Sequence, residues 1–178
     1  MDRSHYFEAC ANELERYLTR RYRIPVLTFD VKDPFTGDLD GREIHIDYLV
    51  HPDERLFLIA HLFGHTVQWS VRPSSRNTGK ALTIPVPEPM IESVLDFERE
   101  AARYGLKLLH NNRIKDLDQW FADYSACDLA YLAHFYRTGE KKAAKNFWKS
   151  NQPLIVAKPI PRRFKPKKWV SRNDGVVI

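Results

Sequence analysis

Residues 56–69, "LFLIAHLFGHTVQW", constrain this chain more than any other stretch. The run is too long for a typical strand and falls short of the roughly 18 apolar residues that a membrane-spanning helix needs. It therefore predicts a helix buried inside a folded domain. "HPDE" just before it supplies a start. Pro52 suits the first helical turn, where an amide proton has no partner, and Asp53 and Glu54 complement the positive end of the helix dipole. A buried helix needs cover, and 178 residues that are 43% hydrophobic and 12% aromatic suffice for one domain around one core.

The cover is legible in part. Phe7, Cys10, Ala11, Leu14, Tyr17 and Leu18 recur at helical spacing, which predicts an amphipathic helix over 2–22. "IPVLTFDV" reads as a strand, and "DPFTGDLDG" as turn chemistry. In "REIHIDYLV", Ile44, Ile46, Tyr48 and Val50 alternate with His45, Asp47 and Leu49, which predicts a second strand with one buried face. Residues 70–87 carry the prolines and small polar residues of a loop. Helical periods return over 88–109, in "DLDQWFADYSACDLAYLAHFYRTG" and in "EKKAAKNFWKS". The aromatic residues Trp120, Phe121, Tyr124, Tyr131, Phe135 and Tyr136 stand at the spacing of core packing rather than of a substrate groove.

His61 and His65 lie four apart on the predicted buried helix, so both imidazoles can face one ion. A zinc site needs a third ligand, and projecting residues 88–109 at about 100° per residue offers one. Ile91, Val94, Leu95, Ala101, Ala102, Gly105 and Leu109 form one face; Glu98 falls near its centre, whereas Glu100 points away towards solvent. A carboxylate among apolar neighbours needs a cation beside it, either a metal held with the two histidines or an arginine. Two satisfied core histidines and a paired glutamate remain the alternative to a metal.

The stretches "GREIHIDYLV", "DERLFLIAHLFGH" and "FEREAARYGLKLL" together resemble the ImmA/IrrE family of zinc metallopeptidase-like proteins. Arg55, Phe57, Ala60, His61, Gly64 and His65 match the family's "R-x-F-x-x-A-H-E-x-G-H" helix, and Glu98, Glu100, Ala101, Leu108 and Leu109 match its later "E-x-E-A-N-x-F-A-x-x-L-L" helix. The resemblance covers about residues 7–110. It implies a zincin-like α+β domain, zinc held by His61, His65 and Glu98, and regulation through a protein partner or peptide substrate in response to stress or mobile-element signals. The chain departs from the family at Ala102 and Tyr104, where asparagine and phenylalanine are usual, and above all at Leu62.

Leu62 occupies the place of the motif's glutamate, the group that takes a proton from the attacking water and returns it to the leaving amine. General acid–base catalysis is worth some 10² to 10⁴ in rate, so the sequence predicts a degenerate or weakly active peptidase, a pseudoenzyme by its motif. His45, Asp47 and His51 are the residues near enough in sequence to substitute, although Asp47 and His51 suit turns or surface hydrogen bonds as well.

The formal net charge of +5 is uneven: residues 139–178 hold 11 Lys and Arg against 2 acids (+9), leaving 17 against 21 (−4) in residues 1–138. The expected organisation is a metallopeptidase-like domain over 1–150 and a basic Pro-rich tail over 151–178, lying outside the domain or clamped onto it. In "KPIPRRFKPKKW", Arg162, Arg163, Lys165, Lys167 and Lys168 could neutralise phosphates while Phe164 and Trp169 stack on bases, which makes a nucleic-acid-associated accessory module the alternative function. The amino-terminal stretch "MDRSHYFEACANELERY" lacks the apolar core of a signal peptide, and Cys10 and Cys127 have neither disulfide-framework nor zinc-knuckle spacing. These features predict a soluble cytoplasmic protein with reduced cysteines and no membrane partner.

Overall fold

The computed structural model describes residues 3–31, 35–72, 74, 84–162 and 164–169. Four long helices and a three-stranded sheet make it an α+β protein dominated by helix. In chain order the elements are α1 (Ser4–Tyr22), β1 (Val26–Phe29), β2 (Gly37–Leu39), β3 (Ile44–Asp47), α2 (Pro52–Val71), α3 (Glu88–Asn111) and α4 (Asp118–Thr138). A short 3₁₀ turn over Ala144–Phe147 follows. No helix among the described residues is long and apolar enough to cross a membrane.

The apolar run becomes α2, with Pro52 in its first turn and every residue from Leu56 to Trp69 buried except Leu58. Removing Phe57, Phe63 and Trp69 from water contributes about 1.5–3 kcal/mol each, enough to set this helix at the centre. α1 covers one side of α2 with Cys10, Ala11, Leu14 and Leu18, and α3 covers the other. The α2–α3 contact is unusually close because each helix offers a glycine where the other's backbone passes. A Cβ on Gly64 would lie 2.6 Å from the carbonyl carbon of Ala101, and one on Gly105 would lie 2.6 Å from the carbonyl oxygen of Ala60. A second apolar cluster, including Ile91, Val94, Leu95, Leu132 and Phe135, joins the start of α3 to the end of α4.

The strand order is β1-β3-β2, with β1 parallel to β3 and β2 antiparallel to it. β2 falls in the segment whose composition predicts a turn; its short run pairs Gly37 with Ile46 and Leu39 with Ile44, so tertiary pairing overrides local turn chemistry. The alternation expected through Val50 ends at Asp47: Tyr48 and Leu49 are exposed, and Asp47 accepts hydrogen bonds from the Leu49 and Val31 amides. His45, expected on the open face, is buried between Asp38 (2.6 Å) and Glu43 (3.4 Å), because β3 is the central strand and its neighbours cover it. In "EKKAAKNFWKS" the predicted helix shrinks to the single 3₁₀ turn.

The described part of the carboxy-terminal segment is irregular and lies across the body. The Lys158 amide donates to the Arg103 carbonyl (2.9 Å), Phe164 is buried against Tyr22 and Phe63, and the Trp169 amide donates to the Asp40 carbonyl (2.8 Å).

Candidate metal centre

His61 and His65 stand one turn apart on α2, and Glu98 projects from α3 between them. All three side chains are buried. One oxygen, Glu98 Oε2, lies 3.0 Å from His61 Nε2 and 3.0 Å from His65 Nε2, and the two nitrogens are 3.1 Å apart. The close helix crossing produces this meeting: with side chains larger than hydrogen at Gly64 or Gly105, α3 could not bring Glu98 so near.

The proton positions follow from the next neighbours. Gln68, three residues beyond His65 on α2, donates from Nε2 to the Phe97 carbonyl and to Glu100 Oε2, both at 2.8 Å, so its Oε1 is the end facing His65. His65 Nδ1 donates to that oxygen at 2.8 Å, which leaves the lone pair of Nε2 aimed at the centre. Glu100 is itself held by Arg72 and Lys158, forming a chain of polar contacts from the carboxy-terminal segment to His65. The solvent-facing Glu100 of the helical projection is thus corrected. Its side chain is 14% exposed, covered by the end of α2 and by a strand of chain that a single-helix projection does not contain.

Three possible ligand atoms converge on one point: in the metal-free protein a proton on an imidazole Nε2 can donate to the Glu98 carboxylate, and with both nitrogens unprotonated all three atoms face the centre. A positive charge at the centre satisfies all three, so this group can hold a metal ion. Burial raises the Glu98 carboxyl, but the two flanking imidazoles outweigh it and hold the pKa low, at about 2. His61 stacks on Phe57, and its Nδ1 is buried with no hydrogen-bond partner among the described residues.

The open side of the group faces a cavity of about 80 Å³ whose walls include Leu62, Asp128 and Tyr131. Leu62 turns its side chain towards Gly37 and Leu58, with no polar atom to offer. This inner cavity adjoins an outer cleft of about 410 Å³ bordered by Glu54, Tyr124, Asp128, Tyr131, Lys145 and Trp148. Tyr124 and Tyr131, expected as packing residues, thus border the cleft, while Phe121, Phe135 and Tyr136 are buried in the core as expected.

Asp128 is the residue that the sequence reasoning missed. It lies on α4 between Tyr124 and Tyr131 and borders both cavities. Burial pushes its carboxyl up to about 6; His61 opposes this, and Glu98 and Glu54 add to it. The available signal was an acid on an aromatic helical stripe, the pattern that singled out Glu98. None of the three sequence-proposed substitutes for the missing base reaches the site: His45 is held by Asp38 and Glu43, Asp47 caps a turn, and His51 is exposed and faces Asp53 at 3.4 Å.

Of the basic residues proposed to meet nucleic acid, Arg162, Lys165 and Lys167 are exposed, Lys168 is paired with Asp40 at 3.0 Å, and Arg163 lies outside the described residues. Phe164 is not available for stacking on bases because it is part of the core. Cys10 and Cys127 are free thiols, both buried.

Fold and site define an α+β protein with a buried His–His–Glu group at the base of a cleft. Comparison with protein families, with curated proteins and with solved structures finds no match.

Proposed function

We propose that the chain is a zinc-binding protein with a zincin-like, metallopeptidase-type domain, related to the ImmA/IrrE proteins, that acts in regulation through a protein or peptide partner and retains at most weak peptidase activity. The observation that carries this reading is the triangle of ligand atoms with edges of 3.0–3.1 Å. Tetrahedral zinc with bonds of about 2.0–2.1 Å sets neighbouring ligands roughly 3.3 Å apart, so the three atoms need shift by only a few tenths of an ångström. Two histidines and a glutamate with one open side form the donor set of hydrolytic zinc, and the open side faces the cleft.

When bound there, zinc lowers the pKa of water to about 7 and polarises a carbonyl. The residues of the chain divide the remaining work. His61, His65 and Glu98 hold the ion, Gln68 fixes the His65 proton on Nδ1, and the aromatic and charged walls of the outer cleft receive a polypeptide segment. Leu62 neither accepts nor returns a proton, which removes a contribution of some 10² to 10⁴ in rate from that position.

Metal analysis of protein purified without a histidine tag tests the reading. Wild type is expected to retain about one zinc per chain after dialysis, and His65→Ala almost none. A wild type that takes up no more zinc than His65→Ala would rule the reading out.

A further inference from the structure

We propose that Asp128 replaces the missing motif glutamate as the acid–base group of hydrolysis at the His61–His65–Glu98 site. The assignment rests on the metal reading above and names the residue that lets such a centre turn over despite Leu62.

Position carries the argument. Among the described residues, Asp128 is the one carboxylate outside the triad that borders the inner cavity, and it also borders the outer cleft. A chain entering from the cleft therefore passes Asp128 to reach the triad. Its place suits a base better than a ligand: it borders the same cavity as His61 and Glu98 without belonging to the ligand cluster. The ligand atoms of His61, His65 and Glu98 all lie within 4.8 Å of one another, and Asp128 is not a member of that group.

The carboxyl is also uncommitted: it makes no hydrogen bond or ion pair among the described residues. Asp47, by contrast, has both oxygens occupied by amides.

The step balances without a further reactant. The attacking water's oxygen forms a bond to the peptide carbonyl carbon as one of its protons passes to an Asp128 oxygen. The carbon–nitrogen bond then breaks, and Asp128 returns that proton to the leaving nitrogen, restoring its own carboxylate; the carboxylic acid product keeps the water's second proton and passes it to the free amine, giving a carboxylate and an ammonium group.

The test compares wild type, Asp128→Asn, Asp128→Ser, Leu62→Glu/Asp128→Asn and His65→Ala, all as full chains. Zinc affinity is measured by chelator competition, and hydrolysis with zinc-loaded protein and fluorescein-labelled casein. A third measurement follows acetohydroxamic acid binding to the cobalt-substituted protein through its visible absorption. Hydroxamate chelation delivers a proton to a neighbouring base, and such charge-assisted hydrogen bonds are worth roughly tenfold to a hundredfold in affinity.

Both Asp128 variants are expected to bind zinc as wild type does, to cleave casein at least a hundredfold more slowly, and to bind acetohydroxamate tenfold to a hundredfold more weakly. Leu62→Glu/Asp128→Asn is expected to regain at least tenfold of the lost rate, separating loss of the base from loss of the fold. Unchanged hydroxamate affinity in both Asp128 variants overturns the assignment. So does a zinc-loaded wild type that cleaves casein no faster than His65→Ala; in either case the metal site stands. Absence of zinc from wild type removes the metal reading itself and this assignment with it.

Discussion

Replacing Gly64 by alanine tests whether close approach of two backbones builds the metal site. The new Cβ would sit 2.6 Å from the carbonyl carbon and 2.8 Å from the Cα of Ala101, and closer still to the carbonyl oxygen, where ordinary contacts begin at 3.4 Å, so α3 must retreat by at least about 0.8 Å. The obstruction is backbone in the middle of a helix, so no side-chain rotation relieves it. Ligand distances tolerate only about 0.2 Å, and a retreat of this size takes Glu98 out of reach of an ion held by His61 and His65. Regaining all three ligands means forcing α3 back against the clash, at an overpacking cost of about 1–3 kcal/mol. Charged against binding, that cost weakens zinc roughly 5- to 150-fold. Charged against folding of the metal-free protein, it lowers the melting temperature by about 2–12 °C. The assay is zinc competition with a chelator alongside thermal melting. Gly37→Ala is the control, since its Cβ would meet the mobile methyl end of Leu62 at 2.9 Å rather than backbone. A Gly64→Ala protein with wild-type zinc affinity and melting temperature would refute the claim that this crossing sets the site.

Three further outcomes are expected. Gln68→Leu removes the acceptor that fixes the His65 proton and should weaken zinc binding 10- to 100-fold with the fold intact by circular dichroism; unchanged affinity would show that Gln68 does not orient the ligand. In the metal-free protein the Glu98 pKa is depressed to about 2, so its contribution to stability is complete above its unfolded value near 4.5 and is lost as pH falls through about 2. Acid unfolding followed by tryptophan fluorescence should lose that part of its pH dependence in Glu98→Gln, and an identical profile would refute the coupling. Phe164→Ala deletes a buried ring packed on Tyr22 and Phe63 and should cost about 3–5 kcal/mol by urea unfolding, whereas a change under 0.5 kcal/mol, roughly that of an exposed site, would show that the segment is not part of the core.

The local half of the site was legible in the residues. The spacing of His61 and His65 fixes them on one face of a helix because helical geometry repeats within a few residues, and the apolar stripe around Glu98 marks its carboxylate as the buried one. That Leu62, directly after His61, offers no proton acceptor is likewise plain from the residue type. The sequence alone therefore determined that the helices carrying His61, His65 and Glu98 form and that these three side chains turn inward, but not that the segment after α4 closes as a single 3₁₀ turn or that Glu100 is covered.

What the tertiary structure decided is where those faces meet. The approach of α3 to α2 depends on Gly64 and Gly105 each facing foreign backbone, and the burial of Glu100 depends on Arg72 and on Lys158 from the end of the chain. β2 owes its existence to pairing with β3 rather than to its own composition. Asp128 gains its place beside the triad because α4 closes the cleft. Periodicity is a property of neighbouring residues along one segment, whereas these contacts join segments tens of residues apart, and their geometry is fixed only once the core has packed.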